Sequence, residues 1–265
     1  MKKKIAIYSL FCLGIILGCS KDSENPPNPQ NVDKTANLQA TGSSANDILS
    51  NANFDKLLIE IDYVDGFQPT GQTVANFEDY LRERTFKTDI EFIFNNLSSP
   101  NEESLTLEEI ADLESDNRDS YNDGRTLAIY IYFADSPSDG DDLDEGLVTL
   151  GAVYRNTSMI IYESTIRDLA SRSNTITVTD VETATLNHEF GHLFGLVNLG
   201  TDPVNDHEDP DAENHCNVTG CLMRAELQFG VPMMKMMESN ASKGSAAVPV
   251  LDAECILDLQ SNGGR

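Results

Sequence analysis

The chain has 265 residues, and 44 Asp and Glu against 18 Lys and Arg give it a formal net charge of −26. A surface this acidic repels phosphate backbones, which excludes nucleic acid as a partner. The length suits one large domain or two subdomains about a shared cleft, and no internal repeat is visible.

Lys2, Lys3 and Lys4 form a basic start, and Ile5 to Leu17 is an apolar stretch too short to span a bilayer as a helix. Residues 1–18 therefore read as an export signal, separate from the fold. The cleavage region Ile16-Leu17-Gly18-Cys19 resembles the lipobox of bacterial lipoproteins. That resemblance implies that Cys19 carries a lipid and that the membrane is reached through this anchor alone. Ser20-Lys21-Asp22-Ser23-Glu24 resembles the surface-export signal of some Gram-negative lipoproteins, implying an outer-membrane protein displayed outward. Residues 19–47, rich in Pro, Asn, Ser and Thr without an apolar period, are predicted to be a flexible tether.

Lys56 to Val64 is the first predicted strand, and Thr73 to Arg84 follows as a helix with Val74, Phe77 and Leu81 on one face. Asp89 to Phe94 reads as a strand, Leu105 to Ser115 as a helix, and Thr126 to Phe133 as the strongest strand in the chain. This alternation predicts an α/β (α+β) fold with a mostly parallel sheet and right-handed crossovers. Asp135 to Glu145, polar and acidic with Pro137 and Gly140, is a solvated loop. Leu147 to Tyr154 and Ser158 to Glu163 form a hairpin about Arg155-Asn156-Thr157, which puts one antiparallel edge strand on the sheet.

All four histidines, His188, His192, His207 and His215, fall within one short window. The first two belong to His188-Glu189-Phe190-Gly191-His192, an HExxH sequence on a predicted helix that Thr179 and Glu182 would open as a capping box. Positions four apart on a helix lie one turn above each other, so both rings can aim a nitrogen at one zinc ion. Glu189 then reaches the metal's open position as general base toward an attacking water and as general acid toward a leaving amine. Gly195 can end the helix, and a third ligand must come from the chain beyond it.

HExxH followed by Gly195 resembles the start of the metzincin signature, although Asn198 stands where the third histidine would be. His215-Cys216 through Cys221 to Met223 is similar to the HCx4CxM element of archaemetzincins. The resemblance implies a zinc peptidase with His215 as third ligand, His207 as its competitor, and Met223 in a Met-turn beneath the metal. It implies an upper subdomain over 48–197 and an irregular one over 198–265 that ends in a helix from Asp252 to Gln260. Archaemetzincins also hold a structural zinc on four cysteines, but here the last thiol position is Asp258. A disulfide of Cys221 with Cys216 or Cys255 is the expectation instead, as an exported location allows.

The metzincin resemblance also implies that substrate peptides pair along the edge strand, for which the arm Leu147 to Tyr154 is the candidate. Asp202, Asp206, Glu208, Asp209 and Asp211 crowd the segment after the helix; such a loop can hold Ca2+, but the spacing fits no EF-hand and a solvated loop is the simpler reading. Met233, Met234, Met236 and Met237 suit either a specificity pocket or core filling. Against peptide hydrolysis stands a non-catalytic, zinc-containing surface lipoprotein that binds a partner on a peptidase fold.

Overall fold

The computed structural model describes residues 33–144 and 147–265; the leader and Cys19 lie outside the described residues. Runs of Ile, Leu, Tyr and Phe that are buried on both faces make the central strands β1 (Lys56–Val64) and β3 (Thr126–Phe133), with β2 (Asp89–Leu97) outside β1. β4 (Gly151–Arg155) and β5 (Ser158–Ile161) complete a five-stranded sheet of order β2-β1-β3-β5-β4. Every pairing is parallel except β4 with β5, so β4 is an antiparallel edge.

Two short helices or helical turns, at Thr35–Asn37 and α1 (Ala45–Leu49), precede the sheet. α2 (Gly71–Arg84) and α3 (Leu107–Asn117) are the crossovers between strands. α4 (Glu163–Ser171) and α5 (Val178–Leu193) follow β5, and α6 (Gly230–Ser242) and α7 (Ala253–Ser261) lie toward the C-terminus. A small ribbon joins β6 (Glu208–Asp209) to β7 (Ala212–Cys216).

Alternation along β3 divides the core. Ile129 and Ile131 join Phe77 of α2 and Phe190 of α5 on one face, while Tyr130 and Tyr132 join Ile110 of α3 on the other. Each fully buried Ile, Leu or Phe there stabilises the fold by about 1.5–3 kcal/mol. Phe77 also meets Phe190 edge-on at 5.2 Å, which fixes α5 against α2.

The predicted strands and crossover helices are present with small shifts at their ends, but three expectations are corrected. Residues 33–47 are not tether: Asn37 is fully buried, its amide donates to Ala128 O at 3.0 Å, and Gln39 N donates to Asn156 Oδ1 at 3.0 Å. Polar side chains there are buried because their hydrogen bonds are satisfied, a signal that hydrophobic patterning does not carry. Glu163 opens a helix rather than ending a strand, and Leu147 to Leu150 lies before β4, with Thr149 bridged to Phe229. Of the two readings left open for the methionines, core filling holds: Met233, Met234 and Met237 of α6 are buried in the core.

The capping residue of α5 is also corrected. Thr177 accepts from Asp180 N while Asp180 accepts from Thr177 N, so the box lies two residues before the expected one. Thr179 and Glu182 serve α2 instead: Glu182 accepts from Thr70 N and from the Thr73 hydroxyl, and Thr179 shares a hydrogen bond with Thr70.

Candidate metal centre

α5 carries the HExxH residues through the middle of the molecule, and every residue from Val181 to Leu193 is buried. Two glycines make its close packing possible. A Cβ on Gly191 would meet Met223 Sδ at 2.2 Å, and one on Gly151 of β4 would meet Glu189 Cγ at 2.8 Å. Gly195 ends the helix with φ +71, and the next turn has Asn198 at φ 64, a left-handed value that asparagine tolerates. Asn198 then donates to Glu208 Oε2 at 2.5 Å and takes no part in the histidine cluster.

His188, His192 and His215 come together, with ligand nitrogens all within 4.8 Å of one another. Their ring centroids are 4.9, 5.4 and 5.1 Å apart. His188 Nδ1–H donates to Leu222 O at 2.8 Å, and His215 Nδ1–H donates to Glu213 O at 2.8 Å. Those bonds fix the tautomer and leave Nε2 of each as the free electron pair. His188 Nε2, His215 Nε2 and His192 Nδ1 are buried and have no hydrogen-bond partner.

Unpartnered buried nitrogens need a reason, and a cation supplies one. Burial, reinforced by His215, pushes His188 down to about 3 against a weaker opposing pull from Leu222 O. Burial and the two neighbouring rings push His192 well below its ordinary value, and burial lowers His215. All three imidazoles are thus neutral at pH 7, the form that ligates a metal. Three neutral imidazoles with room for a fourth group match the donor set of a catalytic zinc site.

Glu189 is buried beside this cluster, and burial raises its carboxyl to about 8. It lines a cleft of about 460 Å³ with His192, His215, Gln228 and the edge residues Ala152 and Val153. Among the described residues β4 pairs only with β5, and Ala152 and Val153 of its outer edge line that cleft. Met223 is fully buried under Gly191, and its carbonyl accepts from Cys216 N at 2.7 Å, which ties the methionine's turn to the residue beside His215.

No family model and no curated protein matches this chain. Among solved structures it is similar to an archaemetzincin from Methanopyrus kandleri, at 15% identity over 80% of this chain and 96% of the other, with a TM-score of 0.48. It is also similar to metalloproteinase-II from Bacteroides fragilis, at 12% identity over 88% of this chain and 58% of that one, with a TM-score of 0.40. The chemistry is carried by the placement of His188, Glu189, His192 and His215 in this chain.

His207 stands apart from that triad. Its Nε2 is 2.7 Å from Asp258 Oδ2 and its Nδ1 is 3.3 Å from Cys216 Sγ. The expected disulfide is absent: Cys216, Cys221 and Cys255 are free and buried, with Cys221 and Cys255 sulfurs 3.6 Å apart. In the acidic segment, Glu208 accepts from Asn198 and Asn214, and Asp209 pairs with Arg224 at 3.0 Å, so these two carboxylates have protein partners in place of calcium. Sequence reasoning missed Gly151, whose lack of a side chain admits Glu189; a glycine opening an edge strand was the available signal.

Proposed function

We propose that this protein is a zinc-dependent peptidase, with His188, His192 and His215 holding the ion and Glu189 moving the proton. The observation that carries the reading is the convergence of three buried imidazoles, each offering a ring nitrogen within 4.8 Å of the others, beside one buried carboxylate. When bound, zinc supplies a Lewis acid for the scissile carbonyl and lowers the pKa of a water at its open position.

The chain's own residues do the rest. The unpaired edge of β4 binds an extended peptide by main-chain hydrogen bonds, which brings a backbone carbonyl over the histidines. Glu189 takes a proton from the attacking water as the oxygen–carbon bond forms. It returns that proton to the amine nitrogen as the carbon–nitrogen bond breaks. Burial alone raises the carboxyl, and a divalent ion on the histidines would oppose that rise and keep Glu189 ionised to accept the proton. The leader and Cys19 support placing this activity outside the cytoplasm on a lipid anchor.

Hydrolysis of a mixed peptide library by the zinc-loaded protein tests the reading. Glu189→Gln is expected to keep the metal and to lose at least ~100-fold in kcat, the contribution of a general base. Equal binding without turnover by both proteins would favour the non-catalytic binding lipoprotein.

A further inference from the structure

The cleft beside the histidines is short, and what shortens it lies outside the metal centre. We propose that it is built for short peptides, paired to the edge of β4 over about three to five residues, and not for long chains; the inference rests on the peptidase reading above. Three closures carry it.

The arm from Leu147 to Tyr154 is not free along its whole length. Gly230 N donates to Val148 O at 2.9 Å, Leu150 N donates to Gln228 O at 3.4 Å, and Thr149 is bridged antiparallel to Phe229. The segment that leads into α6 therefore occupies the part of the edge that a long substrate would need. Gln228 stands in the cleft wall where this pairing stops. Gly230 permits the close approach, because a Cβ there would meet Leu169 Cδ1 at 2.2 Å and Val148 Cγ2 at 2.7 Å.

Towards the other end, the pairing of β4 with β5 slips by one residue between Val153 and Arg155. Such a slip bends the strand and sharpens its twist, which ends regular pairing on the outer edge. What remains is Gly151 to Val153, about 10 Å of strand at a rise of about 3.4 Å per residue.

The segment before α1 makes the third closure. Asn156, fully buried, donates its N–H to Gln39 O at 3.0 Å, accepts from Gln39 N at 3.0 Å, and donates its side-chain amide to Ala36 O at 2.8 Å and Ser44 Oγ at 2.7 Å. Gly42 then packs so tightly on the chain after α5 that a Cβ would lie 1.5 Å from Leu199 O. This strap, pinned at Asn156 and at Leu199, sets Thr41 in the cleft wall together with Leu199.

The cleft's volume of about 460 Å³ falls in the range of about 300–1,000 Å³ typical of small-ligand sites. A protein partner engages about 20–30 residues a side. A chain longer than the open edge gains no further pairs and has to turn out of the cleft at both ends, so its extra residues add ordering cost without contact.

Peptide libraries of fixed length, from about three to about twelve residues, and a reduced, unfolded protein test this with the full zinc-loaded chain, by counting newly formed amines. Per susceptible bond, kcat/KM is expected to rise up to about five residues, to gain nothing beyond, and to be at least ~10-fold lower for the unfolded protein. Thr41→Trp, which narrows the end held by the strap, should shorten the best length by about one residue while zinc content stays the same. The length series on the unaltered chain decides the matter even if that variant fails to fold. A kcat/KM that keeps rising to about twelve residues, an unfolded protein cut as fast as the short peptides, or a folded Thr41→Trp protein with an unchanged length profile would overturn the proposal and leave the peptidase reading standing. Hydrolysis of no peptide at any length would remove that reading, and this inference with it.

Discussion

Met223 sets its sulfur against the backbone of Gly191, at a spot where a Cβ would come within 2.2 Å. Glycine in a helix interior costs about 1 kcal/mol relative to alanine, so the contact accounts for a residue that helix propensity disfavours. Gly191→Ala is expected to force Met223 away, destabilising the protein by about 1–3 kcal/mol as overpacking does. Because Met223 O holds Cys216 N at 2.7 Å, His215 should move with it and zinc should bind more weakly. Met223→Leu, nearly equal in volume, should cost under about 1.5 kcal/mol. Urea unfolding and chelator competition read both effects.

Gly151 plays the matching part for the carboxylate. A Cβ there would lie 2.8 Å from Glu189 Cγ and 3.1 Å from Ile160 O, so the backbone leaves little room for relief. Gly151→Ala should displace Glu189 and lower kcat by roughly 10²-fold, the usual consequence of misplacing a reacting group by about 1 Å. Zinc content should be unchanged, because the three atoms nearest that position belong to Glu189, Thr185 and Ile160 and not to a histidine. Metal analysis beside steady-state kinetics separates this outcome from general damage.

Glu163 gives stability a pH dependence. Burial raises its carboxyl to about 9, with the charge of Glu182 adding to the effect and Arg167, at 2.5 Å, opposing it. The folded state therefore keeps a proton that the unfolded chain loses near 4.5. Its contribution is fully present below about 4.5 and declines as pH rises to about 9. Glu163→Gln should flatten that decline when Tm is measured across this range; an unchanged slope would place the effect elsewhere.

The segment before β1 should prove indispensable. Lys87, itself buried, donates to Asp47 O, Ser50 O and Phe54 O at 2.5, 2.6 and 2.5 Å. Lys87→Met strands three carbonyls and should cost about 3 kcal/mol in urea unfolding. A chain beginning at residue 48 also loses Asn37 and its bond to Ala128, and should not refold to a protease-resistant form.

What the sequence disclosed follows from which forces leave a local pattern. β1 and β3 were predictable because both are long apolar runs, and HExxH because one helical turn fixes its geometry. The choice between His207 and His215 needed long-range information, since Asp258, far along the chain, turns His207 toward sulfur. α4 begins on the buried acid Glu163, and α6 has Pro232 in its first turn, where a missing N–H costs nothing, so neither looked helical. The polar anchoring of Asn37 and Lys87 depends on partners distant in sequence, and no periodicity records it.

The central claim is that one cation lies among His188, His192 and His215. Anomalous diffraction at the zinc edge from crystals of the zinc-loaded protein places that ion directly. The account predicts a peak about 2.0–2.1 Å from one ring nitrogen of each of the three histidines. No peak there after loading, or a peak that includes His207 in place of His215, would contradict it.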